Sequence, residues 1–254
     1  MYLSWLLIDV GENPDRPRPG RLWVRNRYRV HQRLCMAFPS ASTKSADPHF
    51  LKPFDPQDFG ADQVHVDRRR DAGFLFRIDP LRAARVAILV QSAVPPDWDY
   101  AFHNGGYLLA APPEVRPYDP SFATGERLAF RLVANPTKRL TKNSRERDGT
   151  SVAPRWVGKR VPVPSEHLYE WLARRAAGGG FSIAEHSRAV QPGYVYLNKK
   201  ADGPGQRLRS ARYDGLLEVA DPELFRKTVA TGIGPGKAFG FGLLSVARVA
   251  EESG

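Results

Sequence analysis

Tyr28 and His31 lie three residues apart in the run Asn26-Arg27-Tyr28-Arg29-Val30-His31, the spacing that sets two side chains on one face of a helix. An imidazole beside a phenol is a proton-handling pair, and Arg25, Arg27, Arg29 and Arg33 flank it. Nearby cations favour the neutral imidazole, which accepts a proton near neutral pH. The planar fork of arginine matches phosphate oxygens. This combination suits proton transfer at a phosphodiester whose own sugar hydroxyl is the nucleophile, as in RNA. Such a substrate, once held in line, needs a proton acceptor, a proton donor and positive charge. His31 is expected to take the 2′-OH proton or to protonate the leaving 5′-oxygen. Tyr28 is expected to orient the ribose or to assist the transfer, with Lys or Arg stabilising the developing charge. Help of this kind is worth about 10²–10⁴-fold. The scheme requires no metal and no cofactor. His49, His65, His103, His167 and His186 are scattered without a carboxylate cluster, and read as structural or surface residues. The single Cys35 leaves nothing for a disulfide framework or a zinc site built on Cys pairs.

The charge pattern points to a polyanion. The chain of 254 residues carries 38 Lys plus Arg against 27 Asp plus Glu, a formal +11. Residues 16–33 contribute +7, residues 137–160 +6 and residues 199–212 +4, which leaves the other 198 residues at −6. Lys138, Arg139, Lys142, Arg155, Lys159 and Arg160 in the second window, and Arg207 and Arg209 in the third, are expected to contact RNA with the arginines around Tyr28. Interleaved aromatics (Trp23, Tyr28, Trp156, Tyr194, Tyr196, Tyr213) suit nucleic acid better than a lipid surface. No basic amphipathic helix with a broad apolar face supports a membrane partner. The apolar run Tyr2–Ile8 is seven residues long, too short to span a bilayer and without a basic leader, so the cytosol is the expected compartment.

A second concentrated feature is Gly232-Ile-Gly234-Pro-Gly236-Lys237-Ala-Phe-Gly240-Phe-Gly242, five glycines in eleven residues. A phosphate-binding Walker loop would end Gly-Lys-Ser/Thr after a strand, whereas here Lys237 precedes Ala238 and the loop follows a helix. A dinucleotide fingerprint would open a helix, and this loop opens a strand. The glycines therefore mark backbone lying close to either another protein segment or a phosphate chain.

The elements that must position these residues follow from periodicity and punctuation. Tyr2–Val10 reads as a buried strand and 11–20 as a Pro-, Asn- and Gly-rich loop. A helix is predicted from Asn26, its N-cap, through Val30, Leu34 and Phe38 to the stop at Pro39. Tyr28 and His31 fall on the rim of its apolar stripe. Residues 40–72 are polar and Pro-rich. Strands are predicted at 74–79 and 86–92, separated by a turn at Pro80, then a linker at Pro95-Pro96-Asp97. Beyond it come a strand at 127–134, a helix from a Ser165 cap to Ala177 ended by Gly178-Gly179-Gly180, and strands at 181–186, 193–198 and 207–219. Asp221 and Pro222 open a helix to about Thr231, and 243–249 is the last strand. This is an α+β chain of two tandem β-α-β-β-α-β units, mainly antiparallel with helices on one face. The units are residues 1–94 and 100–254, joined by 95–99.

The chain resembles the CasE family, the CRISPR-repeat endoribonuclease subunit of the type I-E Cascade complex. The matching stretches are Met1-Tyr-Leu-Ser4, Tyr28-Arg-Val-His31-Gln, Phe74-Leu-Phe76, Leu89-Val-Gln-Ser92, Phe130 to Lys138, and Gly232 to Ser245. They run in the family's order over nearly the whole chain. The resemblance implies two ferredoxin-like (RNA-recognition-type) domains and metal-independent cleavage at the 3′ base of each repeat hairpin. The products would be a 2′,3′-cyclic phosphate and a 5′-hydroxyl. The enzyme would then keep the hairpin of the mature CRISPR RNA and join the other Cascade subunits. Tyr28 and His31 match the family's catalytic pair, and Lys199 or Lys200 corresponds to its assisting lysine. The stretches 11–25 and 40–72 depart from shorter members. Proteins read an A-form stem by shape, phosphates and 2′-hydroxyls. Affinity is therefore expected to fall steeply with salt, by a slope of about 0.7–0.9 per phosphate contact. A non-catalytic RNA-binding subunit on the same fold is the main rival reading, and a metal-dependent nuclease the next.

Overall fold

The computed structural model describes residues 1–13, 15–52, 73–145, 149–184, 189–198 and 205–249. Four strands make the first sheet: β1 (Tyr2–Asp9), β2 (Phe74–Pro80), β3 (Arg85–Ser92) and β4 (Glu114–Pro117), in the order β2-β3-β1-β4 and antiparallel throughout. Alternation sets Leu6 and Ile8 of β1, Phe74, Phe76 and Ile78 of β2 and Ile88 and Val90 of β3 on one face, all in one buried cluster. Helix α2 (Arg27–Cys35) lays Val30, Leu34 and Cys35 on that face. Each large side chain buried there is worth about 1.5–3 kcal/mol. Its cap is Asn26, whose side chain accepts from the Tyr28 amide at 3.2 Å. The regular helix ends at Cys35 rather than Phe38. Met36, Ala37 and Phe38 then donate to the carbonyls three residues back, a tightening that keeps Phe38 in the core.

The second sheet repeats this strand order. Its strands are β5 (Arg127–Ala134), β8 (Phe181–Ile183), β10 (Gln206–Val219) and β11 (Leu244–Arg248), arranged β11-β5-β10-β8. Helices α5 (Leu168–Ala177) and α6 (Pro222–Thr231) contribute Leu168, Trp171, Leu172, Ala176, Phe225 and Val229 to its core. In both sheets the first and third strands are central and the fourth lies outside the first. This is the ferredoxin-like order, twice. The second unit adds β9 (Ala189–Leu197), paired along the outer half of β10, and a small hairpin of β6 (Thr137–Arg139) and β7 (Arg160–Pro162).

Several expectations need correction. The linker placed at 95–99 is part of the first core. Asp97 donates its amide to Ala37 at 2.7 Å and caps α4 (Trp98–Ala101) by accepting from Tyr100 at 2.9 Å. Trp98, Tyr100, Ala101 and Phe102 are buried with that core. Because β4 pairs with β1, the first unit runs to Pro117 rather than to residue 94, and the passage to the second sheet lies between Pro117 and Arg127. The loop read at 11–20 gives way to a helix, α1 (Pro19–Arg25), started by Pro19 at its first turn without a side-chain cap. A short helix α3 (Ala41–Ala46), capped by Ser40, opens the stretch 40–72, of which 53–72 lie outside the described residues. Ser165 begins a single 3₁₀ turn, not the α-helix, and caps nothing.

The remaining face of the first sheet is covered too. Leu75 and Leu89 pack with Leu243 of the second unit, and the Gln91 side chain donates to the Val229 carbonyl at 2.8 Å. Arg77 donates Nε to Asp79, 2.8 Å, and Nη1 to Ser245 Oγ, 2.6 Å. Coverage on both faces is why β3 reads as a near-continuous apolar run over residues 86–90 rather than an alternating one.

Candidate active site

Helix α2 begins at a junction. Asn26 caps it and also donates Nδ2 to the carbonyl of Asn198 at 3.0 Å, just beyond the end of β9. One side chain thus fixes the first turn of the helix and the far end of the β9–β10 hairpin together. Tyr28 is half-buried in that first turn. His31, one turn on, is 5% exposed, where a place on the rim of the stripe was expected. The difference comes from β2. Phe74 and Phe76 rise from the sheet against the imidazole, with ring centroids at 5.5 and 6.3 Å and the Phe76 ring within 13° of parallel. Cys35 Sγ lies 3.6 Å from Nε2 and 3.9 Å from Nδ1. Burial pushes the Cys35 thiol well up, so it stays a neutral, packing group and not a nucleophile. The imidazole is held by packing on three sides, which fixes its orientation before any substrate arrives.

The glycine loop packs on α2 and β2 from the second unit. It is closed by the Ile233 amide donating to Gly242 at 2.9 Å, and tied to β5 by the Gly242 amide donating to Val133 at 2.8 Å. Its glycines divide into two uses. At Gly232, with φ of +74°, a methyl group would stand 2.7 Å from the Gly242 carbonyl oxygen and 2.8 Å from Leu75. That position serves close packing of the two units. Gly236 and Gly240 are left-handed at φ +83° and +77°, and between them the single 3₁₀ turn Lys237–Phe239 meets α2. A methyl at Gly240 would lie 3.0 Å from Phe76 and 3.2 Å from Arg27 Nη1. Gly234 faces the Trp171 ring. Lys237, the loop's cation, is thereby set beside the helix that carries Tyr28 and His31.

The predicted cations fall into distinct settings. Arg25 and Arg29 are exposed. Arg27 is half-buried, with Nη1 sealed from solvent. Arg33 turns inward, donating to the Ala101 carbonyl at 2.9 Å and to Asn104 at 2.8 Å, over the Phe50 ring. Lys138, Arg139, Lys142, Arg155, Lys159 and Arg160 are exposed on and around the β6–β7 hairpin. Lys159 stands 4.5 Å above the Trp156 ring, and Arg139 donates to the Gly158 carbonyl. On the β9–β10 hairpin Tyr194 opposes Arg209, and Tyr196 opposes Arg207. The Arg207 guanidinium lies 4.2 Å from the Tyr194 ring centroid, while Arg209 donates to the Tyr194 hydroxyl at 2.9 Å and to Ser165. Lys199 and Lys200 lie outside the described residues and follow Asn198 in sequence.

The structure therefore brings together Tyr28, His31, Arg27, the Lys237 turn and the end of β9, drawn from both units. Sequence reasoning missed Asn198 as the contact of the helix cap and Phe74 and Phe76 as the walls of the imidazole. The alternation of Phe74 and Phe76 was visible, but which helix their face meets was not. Arg27 Nη1, Asn198 Oδ1 and Arg209 Nε are buried without a hydrogen-bond partner among the described residues. Buried polar atoms are rarely left so; Arg27 and Asn198 lie at this junction, Arg209 stands on β10 beside Tyr194 and Ser165, and Ser4 Oγ and Trp98 Nε1 are left so elsewhere in the fold.

Comparison with known proteins finds relatives that match over nearly the whole chain. The sequence pattern of the CRISPR associated protein family matches residues 1–248. The CRISPR-associated endoribonuclease Cse3 of Thermus thermophilus is 37% identical over 185 residues, 68% of this chain and 79% of that protein. The CRISPR system Cascade subunit CasE of Escherichia coli is 26% identical over 248 residues, 97% of this chain and 99% of its own length. Among solved structures, CRISPR endoribonuclease Cse3 bound to a 19-nt RNA superposes with a TM-score of 0.68. It is 29% identical, and the match covers 98% of this chain and all of that one.

Proposed function

The chain belongs to the CRISPR associated protein family, among its CasE and Cse3 members, and on that premise we propose that it is an endoribonuclease that cuts CRISPR repeat RNA and remains on the product as a Cascade subunit. The observation that carries the reading is the His31 imidazole, clamped between Phe74, Phe76 and Cys35 on a helix whose first turn meets the glycine loop and the end of β9.

Cleavage follows from what RNA brings with it. The 2′-oxygen at the scissile nucleotide attacks phosphorus, the P–O5′ bond breaks, and the products are a 2′,3′-cyclic phosphate and a 5′-hydroxyl. One proton leaves the 2′-oxygen and one reaches the departing 5′-oxygen. His31 carries one of these transfers, and Tyr28, on the same helical face, orients the ribose or assists. Because the nucleophile belongs to the substrate, the step requires no metal ion. Rigid placement of the imidazole suits a reaction whose gain comes from alignment. Lys199 or Lys200, following the Asn198 contact, and Lys237 supply positive charge near the phosphate.

The repeat hairpin is held by its phosphates. Lys138, Arg139, Lys142, Arg155, Lys159 and Arg160 around the β6–β7 hairpin, Arg207 and Arg209 on β10, and Arg25 and Arg29 beside α2 form its contact surface. Arg33 belongs to it only at its edge, since its guanidinium is spent on Ala101 and Asn104. No described helix is long and apolar enough to cross a membrane, and a protein that meets new transcripts works in the cytoplasm.

The test is incubation of repeat RNA in EDTA with the wild-type protein and with His31→Ala. Wild-type protein is expected to cleave to a cyclic-phosphate end, and the variant to cleave about 10²–10⁴-fold more slowly at saturating protein while binding the hairpin normally. Equal rates would remove His31 from the mechanism. Binding without cleavage by either protein would make this an RNA-binding subunit only, and cleavage silenced by EDTA in the wild type would make it a metal-dependent nuclease.

A further inference from the structure

The first turn of α2 carries a cation that packing alone does not explain. Arg27 and His31 are four residues apart, so their side chains lie on the same side of the helix. The guanidinium runs in beside Gly240, whose absent side chain leaves the space that Nη1 occupies; a methyl there would stand 3.2 Å from Nη1 and 3.0 Å from the edge of Phe76. Phe76 is the ring against which His31 stacks. Guanidinium, phenyl and imidazole thus converge beneath one glycine turn.

Nη1 is buried and has no hydrogen-bond partner among the described residues. Leaving such a donor unmet costs about 1–3 kcal/mol, more for a charged group. The obvious internal acceptor is already engaged, since Asp79 takes both of its short hydrogen bonds from Arg77 Nε, at 2.8 and 3.0 Å. Asp79 acts on Arg27 only through space. Burial brings the guanidinium down to about 10, against the pull of that carboxylate, which still leaves it fully charged at neutral pH. Arg27 as a whole residue is half-buried. A charged donor buried and left unpaired among the described residues, on the same helical side as the imidazole, fits an anion brought by the substrate.

The geometry points to Arg27 as a catalytic residue: it donates to a non-bridging oxygen of the scissile phosphate and stabilises the charge that builds there during attack. This inference rests on the endoribonuclease reading above and goes past the general role of the arginines in gripping the stem. A fork aimed at a reacting phosphate stabilises the pentavalent state more than the bound substrate, because the negative charge on those oxygens rises as the 2′-oxygen attacks. In a site closed to water such a donor is worth more than on an open surface. The two roles predict different kinetics. A stem contact changes affinity, and a transition-state contact changes the rate at saturation.

The experiment compares wild type, His31→Ala, Arg27→Met and Arg27→Lys in single-turnover cleavage at saturating protein, in EDTA. The RNA is the repeat hairpin made with either diastereomer of a phosphorothioate at the linkage the wild type cuts. Affinity is measured separately on the hairpin with a 2′-deoxy nucleotide at that position, and folding by circular dichroism. Arg27→Met is expected to slow saturated cleavage about 10²-fold, with a far smaller change in affinity. The sensitivity of the wild type to sulfur in one diastereomer is expected to disappear in it, with Arg27→Lys between the two. Arg27→Met cleaving at the wild-type rate while His31→Ala fails would overturn the role of Arg27 alone. Slowing that preserves the wild-type sulfur effect, or that tracks the folded fraction, would show a structural part only and also overturn it. No cleavage by the wild type would bring down the endoribonuclease reading and this role with it.

Discussion

In the first sheet the third strand of the ferredoxin-like order, β3, has eight residues and is covered on both faces; its counterpart in the second sheet, β10, has fourteen. The extra length of β10 carries β9 past the sheet edge and exposes Tyr194 and Tyr196, 46% and 62% open, opposite Arg209 and Arg207. The first unit instead invests in closure, with α2 seated on the sheet and His31 packed between two phenyl rings. One topology is thereby specialised in two ways. The closed unit holds an imidazole still, and the extended unit reaches along a substrate. Neither is sufficient, because Asn26 of the first and Asn198 of the second share the hydrogen bond at the mouth of the site.

The comparison is broken most directly at the seam. Arg77 and Asp79 are a buried pair on β2, and Arg77 also holds Ser245 and the Arg131 carbonyl of the second unit. Arg77→Met strands the Asp79 carboxylate and is expected to cost about 3–5 kcal/mol, read as a lower urea midpoint for the whole chain. A midpoint that stays put, or that moves for one half only, would mean that the two units are independent bodies.

A change on the extended unit should leave stability alone and move binding. Tyr196→Ala removes an exposed ring and is expected to alter folding by less than about 0.5 kcal/mol. If it stacks on a base or closes over the backbone, hairpin affinity falls by about 1–3 kcal/mol, with the cleavage rate at saturation unchanged. Titration against labelled repeat RNA checks this, and an effect on rate rather than affinity would place Tyr196 in the reaction instead.

The smallest expected effect is on the acid side. Burial by itself would raise the Asp214 carboxyl, but hydrogen bonds from Arg212 and Arg131, each 2.6 Å, outweigh it and hold the group below the usual carboxylate range. A carboxylate whose folded value is depressed stabilises the fold above its unfolded value, near 4, and loses that contribution as pH falls through the folded one. The second unit should therefore lose part of its stability below about pH 4, and Asp214→Asn should flatten that limb. Denaturation midpoints measured between neutral and acid pH decide it, and an unchanged slope would show that the pair contributes nothing.

The parts of the fold legible in sequence were those set by local signals. Asn26 as a cap, Asp221-Pro222 as a helix start, the strand at 127–134 and the glycines as close-approach backbone all stand where the residues indicated. Pairing of Tyr28 with His31 on one helical face was legible for the same reason, since helical spacing is local. The elements missed were short or depended on a distant partner. Strand β4 is four exposed residues that exist as a strand only because β1 offers them an edge. Helix α1 has no side-chain cap to announce it. The Pro95-Pro96 pair read as a linker because prolines withdraw donors, and nothing local said that Asp97 binds Ala37.

What the amino-acid order determined by itself is thus the inventory and its local geometry: a proton-handling pair on a helix, arginine-rich windows, a loop rich in close-approach glycines, a β-α-β-β run, and a second run of strands with two helices. Tertiary structure alone decided which of those arginines remain open to a ligand and which are spent inside. It also decided that Phe76 would wall in His31, and that Gly240 of one unit would close over Arg27 of the other. Those outcomes depend on contacts between residues scores of positions apart, whose distances no local periodicity encodes.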